Sequence, residues 1–207
     1  MNILIVASHP DDEILGCGGS MAKWSSNGHD IHVLIMAEGI TSRDKNRDKN
    51  IRNNELSLLS KTCKHANKIL GVKSVQLLDF PDNRMDSVNL LDVIKSIEEK
   101  LDKLNFDMVV THHIGDLNVD HQITHKAVLT ACRPQPQTSV KTILSFEVPS
   151  ATEWQSPTDS NHFIPNWFES LDNNSLLLKK KALKLYQSEM RDWPHSRSIE
   201  AVEKLAR

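Results

Sequence analysis

The sequence predicts an α/β fold: a Rossmann-like, doubly wound, mainly parallel sheet with helices on both faces. Short runs rich in Val, Ile and Leu recur without polar alternation, as strands covered on both sides require. Segments of helical pattern separate these runs from the first residue to about position 150. The connections are long enough for right-handed crossovers between parallel strands.

The first strand is read at Asn2–Ser8, followed by a polar turn, glycines, and a short helix at about Gly19–Asn27. Ile31–Ala37 gives a second buried strand. The charged stretch Ser42–Asn50 leads into a helix that runs to about Gly71, where glycine suits a C-cap. Val75–Phe80 is the third strand and Val88–Leu104 its crossover helix. Met108–Thr111, a helix over Asp120–Cys132, and Thr142–Val148 complete the alternation. Beyond lie a polar loop, Pro149–Pro165, and a helix near Ser175–Met190. With no repeat and no linker composition, residues 1–207 read as one domain.

A net charge of -2 gives no electrostatic case for a nucleic-acid partner or an anionic membrane. No apolar run is long enough to span a bilayer, and no basic stretch precedes the first run as in a signal peptide. Cys17, Cys63 and Cys132 are scattered and read as reduced thiols of a cytoplasmic protein. Trp154, Trp167 and Trp193 are expected to pack internally rather than at a homo-oligomer interface.

Chemistry concentrates in two places. Directly after the first strand comes His9-Pro10-Asp11-Asp12-Glu13. Such a cluster repels itself, and a divalent cation relieves it; imidazole and carboxylate together suit zinc or ferrous iron. Pro10 stiffens the turn, so that His9 and Asp12 face one way and Asp11 the other. The competing reading is a solvated acidic turn with Asp11 or Asp12 capping a helix. Gly16-Cys17-Gly18-Gly19 does not complete a dinucleotide fingerprint, because Met21 occupies the third small position. These glycines are expected to fold a loop against the cation.

The second cluster runs from Thr111 to His125 and holds four of the chain's 10 histidines. His121 and His125 share a helix face, and Asp120 suits the first helical turn. In a doubly wound sheet both clusters lie at the carboxyl ends of strands, where ligands bind. One of these histidines, His121 for preference, would complete a two-histidine, one-carboxylate site with His9 and Asp12.

The His-Pro-Asp-Asp-Glu motif, the Leu15–Gly19 run behind it, and Asp120-His121 before a helix resemble the PIG-L/LmbE-like family of deacetylases. The resemblance covers nearly the whole chain in strand–helix order. It implies a zinc-dependent hydrolase on a Rossmann-like fold that removes acetyl from N-acetylglucosamine-containing compounds. His9, Asp12 and His121 would then be metal ligands and Asp11 the general base, with Asp120 orienting a histidine or holding the loop. Arg52 and Glu55 look like the family's Arg-x-x-Glu pair beside the substrate; an exposed helical ion pair is the competing reading. Many members have histidine where this chain has Asn118, so oxyanion stabilisation falls to Asn118, or to His113 or His195. Arg191 and His195, in the tail Ser188–His195, are expected to reach the pocket. Related chains continue past Arg207, so the chain is either truncated there or a short member.

Two alternatives remain, the first with the same site acting on a different bond. One is an esterase or amidase on a sugar conjugate; the other is a sugar- or nucleotide-binding module without turnover. The long loops Glu38–Asn50 and Pro149–Pro165 are expected to line the pocket mouth and choose the substrate.

Overall fold

The computed structural model describes residues 1–156 and 161–206. Five parallel strands form the sheet: β1 (Asn2–Ala7), β2 (Asp30–Ala37), β3 (Ser74–Phe80), β4 (Met108–His112) and β5 (Thr142–Phe146). Their spatial order is β3-β2-β1-β4-β5. Among the described residues the α-helices are α1 (Asp12–Ser26), α2 (Asn53–Ile69), α3 (Leu90–Lys103), α4 (Val119–Ala131), α5 (Asn173–Leu183) and α6 (Ile199–Leu205).

Continuous apolar strands make sense because both faces of the sheet are covered. Alternate residues of β1 part company: Ile3, Ile5 and Ala7 join a core with α1, α2 and α5, built on Met21, Cys63 and Leu183. Leu4 and Val6 face the opposite core with α3 and α4, against Val93, Ile97 and Ala127. β1 lies between β2 and β4 in the parallel register Ile3↔Ile31 and Ile3↔Met108.

Three readings of the chain need correction. α1 begins at Asp12, so the glycines lie inside a helix rather than in a loop against the cation. They allow close packing: a Cβ at Gly16 would collide with the Phe146 ring, and one at Gly19 would sit 2.5 Å from Leu171 Cδ1. The helix is irregular at Cys17 (φ -126°, ψ 17°), and the Leu15 carbonyl accepts from buried Lys179 Nζ at 2.8 Å. The last predicted helix stops at Leu183 rather than Met190, and a separate α6 follows. Nor are the tryptophans internal: Trp154, Trp167 and Trp193 are each more than half exposed. Gly71 does terminate α2, at φ 78°, with its N–H on Lys68 O. Part of the expected loop Pro149–Pro165, residues 157–160, lies outside the described residues. Among the described residues no helix is long and apolar enough to cross a membrane.

Candidate active site and cation centre

The strand order reverses between β1 and β4: the chain winds outward from β1 through β2 and β3, then returns to β4 on the other side. Loops leaving β1 and β4 therefore diverge and leave a crevice between them, the usual ligand position in this topology. His9–Asp12 leave β1 and His112–His121 leave β4, so the two clusters meet there.

Asp12 is the hub. Its Oδ2 lies 3.1 Å from His9 Nδ1 and 3.1 Å from His121 Nε2, with His112 Nε2 3.7 Å away. Each outer histidine is backed by a second carboxylate: Asp120 Oδ2 is 3.0 Å from His9 Nε2, and Asp116 Oδ2 is 3.0 Å from His121 Nδ1. Carboxylate–imidazole pairs of this kind fix the ring and strengthen it as a ligand. Asp120 is itself fixed by the N–H groups of Asn83 (2.7 Å) and Met85 (2.9 Å). Asp116 accepts from Thr152 Oγ1 at 2.7 Å and from Asn118 N at 2.8 Å.

Charge is distributed accordingly. Burial alone would lower the pKa of His121, but Asp12 and Asp116 hold it up at about 9. At His9, burial is likewise outweighed by Asp12 and Asp120, which raise it well above the ordinary value. Asp12 is held well below the carboxylate range: burial opposes this, but His121 and His9 prevail. His112 differs. Burial keeps it neutral, its Nε2 accepts from Ser8 N at 2.8 Å, and its ring stacks 3.8 Å from His121.

A divalent cation fits this place. His9, Asp12 and His121 each offer a ligand atom, all within 4.8 Å of one another. Asp12 Oδ1 and His121 Nε2 are buried without a hydrogen-bond partner, although buried polar atoms ordinarily find one. Two imidazoles and a carboxylate suit zinc or ferrous iron.

Asp11 is set differently from the acids on either side. It occupies the N-cap of α1, yet its side chain makes no cap hydrogen bond. Its φ of 123° is rare for any residue with a Cβ. The side chain goes instead to the crevice, where Arg197 Nη1 donates to Oδ2 at 3.0 Å. Burial pushes the Asp11 carboxyl up, and Arg197 opposes the rise.

The crevice opens into a cavity of about 350 Å³ lined by His9, Asp11, Asp12, Asn118 and His121. Further wall comes from Arg43 and Ser42 after β2, Asp82 and Asn83 after β3, Leu59 of α2, and Ser150 and Trp154 after β5. Glu189 and Arg197 close it from the C-terminal segment. Both long loops of the sequence reading thus reach the cavity.

Other predicted site residues lie elsewhere. Arg52 spans Asp44 (2.8 Å) and Glu55 (2.8 Å) in an ion-paired cluster that does not line the cavity. His113 packs edge-on to Phe163 and accepts from Gly115 N at 3.0 Å. Arg191 donates to the Ser188 and Met190 carbonyls, and His195 stands edge-on to Trp154 at 5.9 Å. Asn118 does line the cavity, but its amide is engaged at both ends. Oδ1 caps α4 by accepting from Asp120 N at 2.9 Å, while Nδ2 donates to Asn83 Oδ1 at 2.8 Å.

Sequence reasoning missed Arg197, Asp82, Asn83 and Asp116. Asp116 had a signal, a carboxylate four residues after His112 in a histidine-rich loop. The others arrive only through tertiary folding.

The sequence pattern of the family described as PIG-L: GlcNAc-PI de-N-acetylase matches residues 4–132. The uncharacterized deacetylase YaiS of Escherichia coli (strain K12) is 32% identical over 191 residues, 90% of each chain. Among solved structures, the N,N'-diacetylchitobiose deacetylase of Pyrococcus horikoshii superposes with a TM-score of 0.72 at 19% identity, covering 99% of this chain and 73% of that one. The 4-carboxy-2-hydroxymuconate hydratase GalB of Pseudomonas putida KT2440 reaches 0.74 at 19% identity, covering 99% and 84%. Those two structural likenesses establish shared architecture alone, since the second protein catalyses a different reaction. The family pattern and the full-length relative go further: this chain belongs to the PIG-L family of deacetylases.

Proposed function

We propose that the protein is a zinc-dependent N-deacetylase that hydrolyses the acetamide of an N-acetylated amino sugar or its conjugate. The carrying observation is Asp11: a buried carboxylate turned into the cavity by an unusual backbone, next to a triad that fits a divalent cation.

His9, Asp12 and His121 would hold the cation, with ferrous iron suiting the same donors. When bound, such a cation lowers the pKa of water and polarises an amide carbonyl. Asp11 takes the proton of the attacking water and returns it to the departing amine. Negative charge developing on the carbonyl oxygen meets two donors in the wall, the second N–H of Asn118 Nδ2 and the Arg197 guanidinium. Asp120 keeps His9 oriented, as Asp116 does His121.

The wall also favours a sugar. Trp154 offers a flat exposed face for a pyranose ring, while Asp82 and Glu189 offer carboxylates to hydroxyl groups. Arg52, Glu55, His113, Arg191 and His195 act at most from outside this wall, His195 by bracing Trp154. The buried thiols of Cys17, Cys63 and Cys132 suit a cytoplasmic setting.

The test is release of acetate and a new primary amine in equal amounts from N-acetylglucosamine and its small glycosides. Asp11→Asn, which tolerates a positive φ, should keep its cation and lose at least about a hundredfold in turnover. Full turnover in that variant would remove Asp11 as the base; ester cleavage without amine release would replace the amide reading.

A further inference from the structure

Of the five-residue motif, His9, Asp11 and Asp12 each have a part in the proposed chemistry, while Glu13 has none. Glu13 is completely buried and does not line the cavity. Its two oxygens are nevertheless divided between specific partners. Oε2 accepts from the Asp11 backbone N–H at 3.1 Å, and Oε1 accepts from Asn67 Nδ2 at 2.7 Å. Asn67, also fully buried, belongs to α2 and donates again to the Cys63 carbonyl at 3.0 Å. The carboxylate is thereby tied to a different helix.

Asp11 needs such an anchor. Its φ of 123° and ψ of -29° lie outside the regions comfortable for a residue with a Cβ, and strain of this kind persists only where the surroundings impose it. On its carbonyl side the imposition comes from α1, whose Ile14 and Leu15 N–H groups bond Asp11 O at 3.0 and 2.9 Å. On its amide side it comes from Glu13. With both flanking peptide planes held, the Asp11 carboxylate points into the cavity and meets Arg197. Without Glu13, the Asp11 N–H loses this acceptor, and the peptide between Pro10 and Asp11 is free to turn.

We propose that Glu13, anchored by Asn67, is a positioning residue: it holds Asp11 in its strained conformation and so aims the catalytic carboxylate. The kinetic part rests on the deacetylase reading; the structural part does not. It acts on Asp11 and leaves the cation and the sugar wall alone, so its loss should affect turnover selectively.

The test compares Glu13→Leu, which removes the acceptor, with Glu13→Gln, which retains a carbonyl oxygen for the Asp11 N–H. In the zinc-loaded protein, Glu13→Leu should lower kcat by about tenfold or more. KM should stay within about twofold and cation content unchanged. Glu13→Gln should recover most of the loss. In an Asp11→Asn background, Glu13→Leu should cost nothing further, because no base remains to be aimed. A crystal structure of Glu13→Leu should show Asp11 at a negative φ and parted from Arg197. If Glu13→Leu does not fold, Asn67→Ala takes its place, with a smaller kcat loss and the same dependence on Asp11. The proposal is overturned if Asp11 keeps its φ near 123° in the variant. An equal further loss in the Asp11→Asn background, or a loss confined to KM or cation content, overturns it as well. Should the wild-type protein deacetylate nothing, the functional reading fails, and the crystal structure alone still decides whether Glu13 positions Asp11.

Discussion

At the scale of single residues, the site separates three adjacent acids into three environments. Asp12 lies between two histidines and is held ionised; Asp11 is buried beside one arginine; Glu13 is buried behind both, where desolvation raises its pKa to about 7. Arg197 matters most for the proposed base, because its guanidinium is in contact with Asp11. Removing it leaves burial unopposed, so the Asp11 carboxyl must rise further. The general base works only when ionised, and its loss of the proton sets the acidic limb of the rate profile. Arg197→Met should therefore move the acidic limb of kcat/KM to higher pH. An acidic limb that stays in place would show that Arg197 does not support the ionised base.

At the scale of elements, α1 carries the strain of bringing its N-terminus to the cavity while packing tightly behind it. Gly16→Ala would place a methyl group against the Phe146 ring, and should cost about 1–3 kcal/mol of stability. Thermal unfolding reads this directly, and an unchanged Tm would mean that Phe146 yields freely. Lys179, which reaches the same helix from α5, has its pKa lowered by burial to about 8 from 10.5. Between those values the unfolded chain binds more protons than the native one, so this group's contribution to stability increases with pH. The difference between wild type and Lys179→Met should shift in favour of wild type from pH 8 to about 10.5. A pH-independent difference in urea midpoints would contradict the burial of a charged amine there. The strands and most helices were legible because their apolar periods are local properties. The start of α1 was not: four small residues read as a loop, and only Phe146 and Leu171, remote in sequence, explain why glycine belongs in that helix.

At the scale of the whole molecule, function depends on topology bringing together chain segments that sequence keeps apart. His9 and His121 are separated by more than half the chain, yet the return from β3 to β4 beside β1 sets both against Asp12. That convergence was legible, because strand ends in a doubly wound sheet share an edge. Arg197 was not legible, because it lies beyond the last strand and reaches Asp11 through turns without a periodic signature. The cavity wall divides likewise: its floor comes from the two motifs and much of its rim from the two long loops the sequence singles out, whereas Arg197, Asp82 and Asn83 join it only through tertiary folding.

The most direct test of the account is cation content by elemental analysis, for the purified wild-type protein and for His121→Ala. The wild-type chain should carry about one zinc or iron, and the variant should lose that cation with the fold retained. A wild-type chain that neither carries nor takes up zinc or ferrous iron, or a variant that keeps its full complement, would contradict this.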